Sequence, residues 1–186
     1  MPGWPRPSHL MQNAAITETQ GAAMESAVEL AGFFAAHGIW CVAEGEALTP
    51  MLAQESAAYG RNMLRFAADQ LEEGVAQAQE YLDQNPGQAE RAALVYDGYI
   101  TLPSGRTDAL IVLVRSYARP PTTLTMAVPY RNAQSSAGFA VHRPKFMGWQ
   151  GPGTADYKLL GDAFFRGVES HEAAAPVWAQ HNDDSI

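Results

Sequence analysis

The residues able to do chemistry are few and scattered. The five histidines, His9, His37, His142, His171 and His181, include no pair four apart on a helix and no pair flanking a carboxylate. A helical zinc site needs such spacing to put two imidazoles on one face, so no metal ligands and no cofactor are expected. The single cysteine, Cys41, lies in the apolar run Ile39-Trp40-Cys41-Val42. A buried free thiol there acts as a small hydrophobe rather than a nucleophile. No Gly-x-Ser-x-Gly elbow and no Gly-x-x-x-x-Gly-Lys-Ser/Thr loop occurs. Gly151-Pro152-Gly153 precedes a helical segment, but Pro152 removes a backbone donor that a phosphate would use. No catalytic residue is assigned.

Two carboxylates, Asp97 and Asp108, stand alone in an otherwise basic segment. With a turn centred on Ser104-Gly105, Thr101 faces Asp108. Asp97 then shares its sheet face about 13 Å away, at ~3.3 Å per residue. That exceeds the roughly 5–10 Å of a glycosidase pair. Asp108 is expected to cap its strand and Asp97 to pair with an arginine. No acid-x-lysine triplet follows Asp108, so a metal-dependent nuclease pattern is absent.

The remaining candidate is a cluster of Tyr130, Arg131, His142, Arg143 and Lys145 on two neighbouring strands. Cations beside an aromatic ring suit a small anionic ligand, and His142 would supply acid–base chemistry. The competing reading starts from the charge pattern. Residues 1–90 and 150–186 are acidic, while 91–149 carry Arg91, Arg106, Arg115, Arg119, Arg131, Arg143 and Lys145 against only Asp97 and Asp108. Acidic helices packed near a basic sheet would neutralise it without any ligand.

The elements that must position these groups follow from periodicity and punctuation. Met24, Ala27, Val28, Ala31, Phe34 and Ala35 predict a helix over 22–37, stopped by Gly38. A short buried strand is expected at 39–42. Thr49-Pro50 resembles a helix start, and a helical pattern runs from Pro50 to Gln84, divided at Gly60. The character changes at Arg91. Strands are expected at 92–102, 108–117, 122–130 and 138–146, joined by the turn at 103–106, the Pro120-Pro121 break and a polar loop at 132–136. The run from Ala109 to Val114 is apolar on both faces, as in a covered central strand. Pro144 places the fourth strand at an edge. Helices return over 155–170 and 173–180, the latter presenting an exposed Trp178.

This order predicts an α+β fold: N-terminal helices, a four-stranded antiparallel β-meander, and C-terminal helices packed on the sheet. One domain over 21–180 is expected, after a flexible proline-rich leader over 1–20 and before a frayed tail over 181–186. The 186 residues and 47% hydrophobic content suit a single packed core. One cysteine excludes a disulfide scaffold, and no apolar run approaches the ~18 residues of a membrane span, so the cytoplasm is expected. A net charge of −8 argues against nucleic-acid binding. The function expected is a non-enzymatic protein-binding or assembly module of the cell interior. The acidic helices would suit a basic partner, Trp178 and Trp4 would add contacts, and a homodimer would cover the doubly apolar strand. The alternative is a small-molecule-binding protein or hydrolase with an anion-fixing pocket between sheet and helices.

Overall fold

The computed structural model describes the backbone from His9 to Ile186 and side chains from Thr19 onward. The contact role expected of Trp4 lies outside the described residues. The fold is α+β. A long helix α1 (His9–Ala43) is followed by the hairpin β1 (Met51–Ser56) and β2 (Gly60–Arg65), then α2 (Leu71–Gln84). The strands β3 (Arg91–Leu102), β4 (Gly105–Ser116), β5 (Thr122–Arg131), β6 (Ala140–His142) and β7 (Lys145–Gln150) come next. The helices α3 (Tyr157–Glu169) and α4 (Ala174–His181) and a two-residue strand β8 (Asn182–Asp183) complete the chain.

The meander is larger than the four strands expected. Seven strands are joined by antiparallel pairs in the order β2-β1-β3-β4-β5, with β6 and β7 both against the far side of β5. β8 adds a parallel pair to β6. The expected fourth strand is two pieces, because Arg143-Pro144 interrupts it where proline has no N–H for the ladder.

α1 begins inside the segment read as a leader and runs past Gly38 to Ala43. Gly38 does not stop the helix; it allows close approach. A Cβ there would lie 2.8 Å from Leu110 Cδ1 and 3.1 Å from Met51 Cε. Ile39 and Val42 are therefore helical core residues, not a strand. Joined in this way, Thr19–Ala43 is long and apolar enough by length and composition to cross a bilayer, unlike the shorter runs considered above. In the fold it is mostly buried, with the sheet on one side and α3 on the other.

β1 and β2 replace the helix expected from Pro50. Met51 and Ala53 bury against α1 in the main core, while Leu52 packs towards α2. A strand buried on both faces shows no alternation, and Met-Leu-Ala-Gln favours helix intrinsically, so tertiary burial overrides local preference. Gly60, at φ +71, closes the hairpin and divides no helix. α2 covers the opposite sheet face through Ala78 and Leu82, against Leu52, Ala92, Leu94 and Leu113. From β4 this cluster takes in Leu113, while Ala109 and Ile111 pack in a separate group with Ile100, Leu102 and Ala127.

The C-terminal helices meet the sheet at its β6 and β7 edge rather than across its face. α3 packs mainly on α1, and α4 touches α1 and β6. The α1–α3 crossing is close enough that a Cβ on Gly32 would overlap the Phe164 carbonyl, and one on Gly167 the Glu29 carbonyl. Arg166 fastens the crossing to Glu25 at 2.6 Å and Glu29 at 3.3 Å. Trp178 is buried at 4% exposure against Phe164 and Phe165, so it offers no surface contact. Within the segment 181–186, Asn182–Asp183 form β8.

Candidate functional site

β1 pairs with β3 only as far as Met51 opposite Val95. Beyond that point β3 pairs with no other strand on this side among the described residues, while β4 continues to pair on the other as far as Leu102 opposite Gly105. A cleft of about 520 Å³ opens along this free stretch, beneath the first turns of α2. Leu71, Val75 and Gln79 of α2 line it with Tyr96 on one face of β3, and it reaches round the free edge to Asp97, Tyr99, Arg106, Asp108, Tyr130 and Asn132 on the other face. A smaller cavity of about 280 Å³ shares Arg106, Asp108, Tyr130 and Asn132 and adds Arg131 and His142.

The hairpin register decides what meets in this cleft. Leu102 pairs with Gly105, so the two loop residues are Pro103 and Ser104, and Tyr99 stands opposite Asp108. Asp97 faces Leu110. The two carboxylates are therefore diagonal neighbours on one face, with backbones about 7–8 Å apart, not the 13 Å expected from a turn centred one residue later. Asp97 does not pair with an arginine either. It accepts a hydrogen bond from the Tyr130 hydroxyl at 2.8 Å. Burial pushes its carboxyl above the usual range. Hydrogen bonds from Tyr130 and the Gly98 N–H pull the other way, and the charge of Asp108 pushes further up. Burial and the bond to Asp97 likewise raise the Tyr130 phenol, so it stays protonated as the donor. Arg106 lies over the Tyr99 ring, its guanidinium carbon 3.7 Å from the centroid, and has no carboxylate within ion-pair distance among the described residues.

The five residues singled out from sequence are divided by the fold. Tyr130 is buried at the floor of the cleft. Arg131 and His142 line the smaller cavity, but both are engaged within the chain. Arg131 donates to the Gly138 carbonyl at 2.8 Å and pairs with Asp183 at 3.4 Å. His142 Nδ1 lies 2.9 Å from the Asp183 carbonyl, which can only accept, so the proton sits on Nδ1. Arg143 is exposed and faces away, 3.7 Å from Asp184. Lys145 is on β7 opposite Ala127, apart from both cavities. The anion-fixing arrangement is therefore neutralised by the segment around β8.

The charge division has the same explanation only in part. Arg115 pairs with Asp83 of α2 at 2.8 Å, as acidic helices packed near the sheet would require. Arg91 pairs instead with Glu55 of β1. Burial works against the Glu55 charge, but hydrogen bonds from Arg61 and Arg91 outweigh it and hold the carboxyl below its usual range.

Sequence reasoning missed Asp97, Asp108, Arg106 and Tyr99 as a group. The available signal was Leu102-Pro103-Ser104-Gly105: proline favours the second position of a β-turn and glycine the fourth, which sets the observed register. No three His, Cys, Asp or Glu side chains among the described residues are placed to hold a metal. What the cleft offers is a carboxyl group whose pKa burial raises, a second carboxylate beside it, a phenol donor, aromatic side chains and one guanidinium with no ion pair among the described residues. Comparison with protein-family models, with curated proteins and with solved structures finds no match to this chain.

Proposed function

We propose that this protein binds a small polar molecule in the cleft between α2 and the free stretch of β3. The observation that carries the reading is the Tyr130–Asp97 hydrogen bond inside a cleft of about 520 Å³. A few convergent polar groups among aromatic walls are the usual make-up of a ligand site. The cleft holds Asp97, Asp108 and Glu72 against Arg106 alone, which favours a neutral or cationic ligand over an anion. Tyr99, on the same face as both carboxylates, suits a flat ring, and Asp97 and Asp108 suit amine, amide or hydroxyl donors. Asp97 could also pass a proton to such a ligand, which is the form a hydrolytic activity would take here. Native mass spectrometry of the protein purified from cells tests the reading. An added mass that disappears on denaturation, and is absent from Asp97→Asn and Asp108→Asn preparations, supports it. The added mass persisting in both variants overturns the cleft as its location.

A second reading is a module that binds another protein or a second copy of itself. It is supported by exposed apolar side chains on α3 and β7: Tyr157, Leu159 and Phe165, with Met147 54% exposed. Sedimentation of the wild type and of Met147→Lys with Phe165→Lys tests it. A larger species lost in the double variant supports self-association. A pure monomer at all concentrations removes the homodimer.

A further inference from the structure

A second cluster of titratable groups lies where the last turns of α1 meet β2 and the α3–α4 connection. His37 and Trp40 come from α1, Arg65 from the end of β2, and His171 from the connection. His37 Nδ1 is 3.2 Å from His171 Nε2, and His37 Nε2 is 3.3 Å from Arg65 Nη2. His171 Nδ1 is 3.2 Å from the Ala174 backbone nitrogen. Trp40 stands edge-on to both imidazoles, at centroid distances of 5.8 and 6.1 Å.

Counting protons along this chain leaves a surplus of donors. A neutral imidazole has one N–H and one acceptor nitrogen. The Ala174 N–H can only donate; it is shared between the His171 carbonyl, at 3.1 Å, and His171 Nδ1. That places the His171 proton on Nε2, from which it donates to His37 Nδ1. The His37 proton then sits on Nε2 and points at the Arg65 guanidinium, which also can only donate. Two N–H groups converge with no oxygen acceptor between them among the described residues. The opposite tautomers move the conflict inward, setting His171 Nδ1–H against the Ala174 N–H at a buried position. That is the costlier place for facing donors.

The surrounding charges do not resolve the conflict. Arg65 has no carboxylate within 4.0 Å among the described residues. Arg65 also hydrogen-bonds the Cys41 thiol, which burial raises and keeps neutral, so this contact brings no counter-charge; Glu46 acts on Cys41 and makes no ion pair with Arg65 among the described residues. Arg61, on the same face of β2, is held by Glu55 at 2.9 Å and lies over the Phe33 ring. Burial, His171 and Arg65 together lower the His37 pKa, so the ring is neutral near pH 7 and offers one N–H.

We propose that Arg65 and the His37 Nε2–H form an oxyanion site for a ligand bearing a carboxylate or phosphate group, with Trp40 as its apolar wall. One anionic oxygen accepts from both donors and removes the conflict between them. A charge-assisted bond to a guanidinium is among the stronger hydrogen bonds available to such a group. The site is separate from the α2–β3 cleft and opposite to it in ligand charge.

The test is a titration of the full chain with inorganic phosphate and with acetate, each at ionic strength held constant with chloride. Imidazole and indole 15N–1H correlation spectra provide the readout. The expected result is protonation of both rings on Nε2 in the free protein. Saturable shifts of His37 and Trp40 should follow, with at least tenfold weaker binding in Arg65→Gln, partial retention in Arg65→Lys and no change in Arg61→Gln. Phosphate saturating first would identify a phosphorylated ligand, and acetate first a carboxylate. A His37 proton found on Nδ1, shifts linear in both anions, or undiminished saturation in Arg65→Gln would each overturn the proposal.

Discussion

The Tyr130 hydroxyl donates to Asp97 Oδ1 at 2.8 Å across β4, joining β5 to β3 at the floor of the cleft. Both groups are largely removed from water, so each depends on the other. In Tyr130→Phe the Asp97 carboxyl loses a hydrogen bond that favours its charged form. Its pKa should therefore rise further above the usual range, and stability should fall by about 1–3 kcal/mol for a buried acceptor left without its partner. Carboxyl 13C titration and urea denaturation measure the two effects. An unchanged Asp97 titration would show that the bond does not form in solution.

Asp97→Asn should have the opposite pH signature. A carboxyl whose folded pKa is raised contributes stability below its unfolded pKa and loses it as pH rises through the folded value. Above its raised folded pKa, wild-type Asp97 therefore carries a charge that burial penalises. Asn keeps an acceptor for Tyr130 and carries no charge. The variant should melt higher than wild type at pH 7, and the advantage should vanish towards pH 4. Thermal melts across pH 4–8 decide the point; a variant less stable than wild type throughout would contradict it.

The two glycines Gly161 and Gly167 of α3 should respond in opposite directions. A Cβ on Gly167 would overlap the Glu29 carbonyl of α1, and backbone cannot give way as a side chain end can. Gly167→Ala should cost roughly 3 kcal/mol, the upper end for overpacking. Gly161 has nothing within 4 Å of the same added atom. Gly161→Ala should stabilise by up to about 1 kcal/mol through helix propensity. Chemical denaturation of both variants tests the α1–α3 crossing directly.

How much of this was legible follows from the physics of each segment. β3 to β5 alternate or carry β-branched runs between proline and glycine breaks, so their boundaries could be read nearly as they occur. β1 could not: it is buried on both faces and written in helix-forming residues, and only its pairing with β3 makes it a strand. Ile39 to Val42 looked like a strand because Gly38 suggested an end, whereas Gly38 is there to admit Leu110 and Met51. At the site, Tyr130 could be singled out as an aromatic beside cations. The Asp97–Asp108 proximity turned on a shift of two residues in strand pairing, which changes every cross-strand neighbour. His37 and His171 are 134 residues apart in sequence, so no spacing rule reaches them.

Glu55 should mirror Asp97 in acid. Arg61 reaches it at 2.9 Å and Arg91 at 2.8 Å, and together they hold its carboxyl below the usual range against the effect of burial. A group with a depressed folded pKa contributes stability above its unfolded pKa and loses it as pH falls through the folded value. Glu55→Gln should therefore destabilise the protein at pH 7. The difference from wild type should shrink steadily below about pH 4.3, the ordinary glutamate value. Salt should weaken the effect only in part, since Glu55 and Arg91 are both mostly shielded, with side chains 21% and 23% exposed. Melting curves of wild type, Glu55→Gln and Arg91→Gln at pH 3–7 check this. If the two variants lose stability to the same extent at pH 3 as at pH 7, packing rather than charge holds β1 to β3 at this corner.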